Sequence, residues 1–119
     1  MSSIDRPLSG DALLLHIGAE RERVESSELL RQHGRNARTL VKEGALRITL
    51  IALAAGGEIP THRAEGPVSV QVLDGRMQFE VAGKRHQLAA GDLLVVNAKV
   101  EHAVQSDSGA TFLLTVVAG

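Results

Sequence analysis

The chain has no cysteine, no tryptophan and no tyrosine, and its only aromatic residues are Phe79 and Phe112. Without cysteine there are no disulfides, no thiolate metal sites and no cysteine nucleophiles. That composition fits a reducing compartment. Two phenylalanines cannot build the stacking platforms that hold bases or sugars. Neither sign of charge dominates either: 13 basic and 14 acidic residues leave a formal charge of −1. Such a balance does not draw a phosphate backbone over distance, so nucleic acid is not an expected partner. No apolar run is long enough to span a bilayer, and no membrane partner is expected. The N-terminal run ALLLHI, residues 12 to 17, is short and follows Asp5 and Asp11 with a single base, Arg6. It does not read as a secretory signal, and the expected location is the cytoplasm. The sequence also lacks a G-x-S-x-G elbow, a P-loop and a dinucleotide fingerprint. Ser69 and Ser106 have no evident base and acid partners, so a nucleophilic triad is not expected.

The 119 residues present are one domain's worth. A domain of this size buries roughly two thirds of its unfolded surface and needs no staples. Residues 1 to 37 read as an N-terminal arm, with residues 1 to 11 loose, a short strand at LLLHI and a short helix within VESSELLRQHG, residues 24 to 34. Ser26 or Ser27 suits the helix cap, Glu28 the first turn and Gly34 the end. Residues 38 to 119 read differently. Short apolar stretches alternate with turn residues at Gly44, Gly56-Gly57, Gly66-Pro67, Asp74-Gly75, Ala82-Gly83, Gly91-Asp92 and Ser108-Gly109. That rhythm predicts an all-β sandwich or barrel.

Several strands are legible. Leu46, Ile48 and Leu50 alternate with Arg47 and Thr49; Val68, Val70 and Val72 alternate with Ser69 and Gln71; Met77, Phe79 and Val81 alternate with Arg76, Gln78 and Glu80. This is the pattern of a sheet with one buried face. Asp74-Gly75 between the last two is a hairpin signal. LIAL (50 to 53), LLVV (93 to 96) and FLLTVV (112 to 117) are instead apolar on both sides. Something must cover their second face, either the arm or a second copy of the chain. A homodimer is the favoured expectation, because two-fold pairs are the commonest assembly.

Two histidines carry the functional reading. His62 stands in GGEIPTHRAEGPVSVQVLDG, residues 56 to 75, and His102 stands in the segment opened by GDLLVV, residues 91 to 106. Together these segments resemble the two motifs of the cupin superfamily, in its small single-domain form. The first motif places Gly, His, His, Glu and Gly in order, and Gly56, His62, Ala64, Val68 and Gly75 stand at those positions. The second places Gly, Pro, Gly, His and Asn, and Gly91, Asn97, Lys99, His102 and Ser106 stand there. The resemblance covers about residues 45 to 117. It implies a double-stranded β-helix, a jelly-roll barrel with the site inside its mouth, carrying a short N-terminal helix and arm.

It also implies a site with half its metal ligands missing. The family holds a divalent metal with three histidines and a glutamate; this chain keeps His62 and His102, and Ala64 and Val68 cannot donate a lone pair. Two imidazoles alone make a weak site, since catalytic zinc or iron usually has three protein ligands. His86 shares strand parity with Leu88 and so faces inward, but on a strand expected to lie away from His62. Glu58 and Glu65 suit a loop or the outer face, Gln71 has the wrong parity, and His16 and His33 lie outside the motifs. A histidine on a barrel strand also has a plain structural role, its ring nitrogens bonding to backbone or water.

The favoured reading is a cupin that binds a small molecule in a mostly apolar pocket. By parity the pocket walls are His62, Ala64, Val68, Val70, Met77, Phe79, His102 and Val104. No tightly bound cofactor is expected. The alternative is a metal-dependent enzyme of dioxygenase, isomerase or decarboxylase type, with His62 and His102 as ligands to zinc, iron, manganese or nickel. A third reading is a module acting by shape alone. The sequence leaves open whether the protein is an enzyme, because barrels host many unrelated chemistries.

Overall fold

The structure is a computed structural model that describes residues 6–118. The expected loose arm at residues 1 to 11 lies partly outside the described residues. Two helices open the described chain, α1 at Ile17–Glu25 and α2 at Glu28–His33. Eight strands follow: β1 Arg35–Glu43, β2 Leu46–Leu53, β3 Glu58–His62, β4 Val68–Val81, β5 Lys84–Ala89, β6 Leu93–Val96, β7 His102–Gln105 and β8 Ala110–Val117. Every pairing between them is antiparallel, in the order β1-β2-β8-β4-β7-β3, with β5 and β6 also on β4. No described helix is long and apolar enough to cross a membrane.

The N-terminal region departs from expectation in one element. Residues 12 to 16 form no strand, and α1 begins at Ile17 instead. The run is apolar, yet only Leu13 and Leu15 pack on the outer cluster, while Leu14 is exposed. α2 follows its signals: the Ser27 hydroxyl accepts from the Leu29 N–H, and Gly34 ends the helix in the left-handed conformation at φ 78°.

Asp74-Gly75 is not a hairpin. β4 runs unbroken through it, and these residues are the bend where the strand passes from one half of the sheet to the other. Residues 68–75 of β4 pair with β8, and residues 76–81 pair with β5. A bulge between Val72 and Asp74 shifts the register, which is why Val72 and Met77, an odd number of residues apart, both face inward. Gly75 is needed at the bend: its φ is 82°, and a side chain there would strike the Gly109 carbonyl. The glycine was legible, but the local pattern does not distinguish a two-residue turn from a bulged corner. The Ala82-Gly83 turn does form a hairpin, closing Val81 against Lys84.

The bend folds the sheet on itself, and the space between its halves is the main core. Ile51, Leu53, Val68, Val70, Val72, Met77, Phe79, Leu88, Val96, Val104, Ala110 and Phe112 pack there. A second core lies on the outside of the first half, where Val24 meets Leu40, Val41, Leu50 and Ala52, with Leu13, Leu15, Ile17 and Leu30 against them. The arm thus covers the outer face of LIAL. Polar contacts fix it in place. The buried Glu20 carboxylate takes Arg6 at 3.2 Å and also Arg38. Arg6 further donates to the carbonyls of Leu40 and Thr39, the Lys42 N–H donates to Leu8, and the Thr111 hydroxyl donates to Glu25 at 2.6 Å. Leu93 and Val95, by contrast, are each 63% exposed.

Candidate functional site

The fold brings His62 and His102 together as a cross-strand pair on β3 and β7. Their ring centroids are 4.3 Å apart, edge to face, and Phe79 stacks on the far ring at 5.5 Å from His102. The burial is unequal: His62 is exposed, whereas His102 is only 4% exposed. The two imidazoles therefore form one feature that reaches from solvent into the top of the main core.

Both rings are oriented by the same device. His62 Nδ1 lies 2.9 Å from the Pro60 carbonyl oxygen, and His102 Nδ1 lies 3.0 Å from that of Val100. A carbonyl only accepts, so each Nδ1 carries the proton and donates it. Each Nε2 then keeps a lone pair when the ring is neutral. Burial lowers the His102 pKa from the ordinary histidine value, and the neighbouring His62 adds to that; the bond to Val100 acts the other way.

The loop before β7 explains how His102 finds its acceptor. Asn97 to Val100 form a turn, and the Lys99 N–H donates to the Ala64 carbonyl at 2.8 Å. Lys99 sits in the left-handed region with φ 66°. The residue is not glycine, but the backbone adopts a conformation that favours one. Ser106 does not belong to the histidine site. It is fully buried at the bend, where its hydroxyl donates to the Arg76 carbonyl at 2.6 Å and accepts the Gly109 N–H at 2.9 Å.

The structure places the remaining expected residues as follows. Val68, Val70, Met77, Phe79 and Val104 are buried members of the main core, and Ala64 packs against it. Of these, Phe79 is stacked on His102. His86 stands opposite Phe79 in the register, on the inward side and half-buried, on a strand that β4 separates from β7 and the histidine pair. Glu58 pairs with Gln105, in the outward row. Among the described residues no group of three histidine or carboxylate side chains is placed to hold a metal ion. What the sequence did not signal were the Pro60 and Val100 carbonyls, because backbone acceptors carry no residue-type signature.

Comparison with known proteins bears on the fold. A family model described as a cupin domain matches residues 49–118. No curated protein matches the sequence. Among solved structures, a conserved protein of unknown function from Streptococcus pyogenes is 27% identical over 100% of this chain and 96% of its own, with a TM-score of 0.71. A cupin superfamily protein from Desulfitobacterium hafniense is 19% identical, covering 71% of this chain and 78% of that one, with a TM-score of 0.69. A salicylate 1,2-dioxygenase from Pseudoaminobacter salicylatoxidans, solved with gentisate, is 20% identical over 87% of this chain, with a TM-score of 0.77. This chain spans only 32% of that enzyme's length, so the likeness is one of fold.

Proposed function

The chain belongs to the cupin domain family, and from that premise we propose that it binds a small molecule at the His62–His102 pair and holds no metal tightly. The observation that carries this reading is the 4.3 Å pair with both Nδ1 atoms committed to backbone carbonyls. Each neutral ring can then offer an Nε2 lone pair, above an apolar base that includes Phe79. Sites of this kind, a few polar atoms on an apolar base, suit a small ligand carrying hydrogen-bond donors. Ala64 and Val68 stand where two of the family's ligands would be, which leaves a metal with two imidazoles.

The second reading, a metal-dependent dioxygenase, isomerase or decarboxylase, draws support from the same hydrogen bonds. Metal-bound histidines commonly donate their other ring N–H to a carbonyl. His62 and His102 would hold the metal through Nε2, and the metal would supply Lewis-acid or oxygen chemistry at its open positions. Metal analysis of protein purified without chelators separates the two readings. Well under one equivalent of zinc, iron, manganese or nickel is expected. A full equivalent that is lost in both His62→Ala and His102→Ala would establish the enzyme reading instead.

We also propose a homodimer through the outer face of the first half of the sheet. The registers place Leu93, Val95, Ser69, Gln71, Thr115, Val117, Leu46 and Ile48 on one side, and none is charged. Glu43 stands beside Leu46 at the β1 edge of this face, so a second copy centred on Val95 and Thr115 across a two-fold axis desolvates no ion. Sedimentation should show a dimer that Val95→Lys converts to monomer; a monomeric wild type at high concentration overturns the assembly.

A further inference from the structure

A separate site is built between the two edge strands. β1 and β3 stand at opposite ends of the strand order, and no backbone ladder joins them among the described residues. They approach each other near the start of β1. There the Ala54 N–H donates to the Gly34 carbonyl at 2.9 Å, a side chain at Gly57 would strike that same carbonyl, and Arg35 Nη1 reaches the Glu58 carbonyl at 3.4 Å. A hollow of about 930 Å³ opens between the strands, lined among others by Leu29, His33, Arg35, Ala37, Ile51 and Ile59. Neither His62 nor His102 lines it.

β1 presents the wrong face to solvent for a barrel strand. Arg35, Ala37 and Thr39 pair with Leu53, Ile51 and Thr49, so they share the barrel-facing side. Yet these three are exposed, while Asn36 and Arg38 on the outward side are half-buried beneath the arm. The inward face of β1 is therefore an uncovered wall with an apolar floor. The hollow's lining carries one basic and one acidic residue, Arg35 and Glu58. Arg35 points into the hollow, and His33 stands in the last turn of α2. The one acid at the rim, Glu58, belongs to the outward row with Gln105 and Gln78.

We propose that this slot binds an amphipathic organic anion, its carboxylate on the Arg35 guanidinium and its apolar chain on Ala37, Ile51 and Ile59. A guanidinium fork matches a carboxylate with two parallel N–H···O bonds, and the single weak bond to Glu58 leaves donors for it. The hollow's volume falls within the range of small-molecule sites.

Decanoate is a suitable probe, with decylamine as its cationic counterpart, each titrated by calorimetry into the full chain. Decanoate should bind at one site, at least tenfold more tightly than decylamine. Arg35→Glu, an exposed substitution that leaves both cores intact, and Ala37→Trp, which fills the slot, should each weaken decanoate at least tenfold. In methyl-labelled protein, decanoate should shift Ile51 and Ile59 and leave the His62 and His102 ring signals in place. No decanoate binding, equal binding of the amine, unchanged affinity in Arg35→Glu, or shifts centred on the histidine rings would each overturn the assignment.

Discussion

The main core and the outer core are both closed to water but are assembled by different means. Val70, Val72, Met77, Phe79, Val104 and Phe112 come from β4, β7 and β8 and meet because the sheet bends on itself. Val24, Leu40, Val41, Leu50 and Ala52 meet only because a helix folds back over two strands. The first core follows from pleat and bend; the second requires the arm to be held down. Its fastening is polar, through Glu20 with Arg6 and Arg38, and Glu25 with Thr111. One sheet thus buries its inner face by its own geometry and its outer face only where another segment reaches it.

The largest expected effects lie in the two cores themselves. Phe79→Ala should cost about 3–5 kcal/mol and Leu50→Ala about 2–5 kcal/mol by urea denaturation. A loss below about 1 kcal/mol for Leu50→Ala would mean that the outer cluster is a surface layer rather than a core.

The next effect comes from the fastening. Glu20→Gln should cost about 1.5–3 kcal/mol, the range for hydrogen bonds to charged groups. It should also increase protection loss in α1 ahead of β4 in hydrogen exchange; equal loss in both would argue against a separable outer core.

Acid should distinguish the two cores by pH. His102 is depressed below the ordinary 6.5, by burial foremost. The unfolded chain therefore takes up that proton more readily, and the stability involved is whole above pH 6.5 and lost as pH falls through the lower folded value. Burial alone would raise the Glu20 carboxyl, but its bonds and charges with Arg38 and Arg6 outweigh this and hold it below 4.5. Its contribution is present above pH 4.5 and lost as pH falls further. Stability against pH should show both windows. His102→Ala should remove the upper one and Glu20→Gln the lower one; a single window unaffected by either variant would refute the assignment.

The smallest effect concerns the loop that aims His102. Lys99→Gly relieves a left-handed residue and should stabilise by about 1 kcal/mol or less. A clear loss of stability would show that the lysine side chain does more than tolerate its backbone.

The fold was largely legible because strand alternation is a local property. Leu46-Ile48-Leu50, Val68-Val70-Val72 and Met77-Phe79-Val81 each announced a face, and each keeps that face within its strand. Asp74-Gly75 was misread because a positive φ is required equally by a hairpin turn and by a bulged corner. ALLLHI was misread because short apolar runs do not declare their period. For the candidate site, the identity and partnership of His62 and His102 were readable through motif spacing. Their tautomers were not, since these depend on which carbonyls the loops deliver.

Residue order alone determined an all-β jelly-roll of the cupin family, the two histidines, and the apolar side chains at Ala64 and Val68, because those facts reside in side-chain type and spacing. Tertiary structure alone decided that His102 is buried while His62 is not, and that the arm covers Leu50 but leaves Leu93 bare. It also decided that β1 turns an uncovered face toward β3. These outcomes depend on which distant segments come to lie against one another, and no local pattern carries that information.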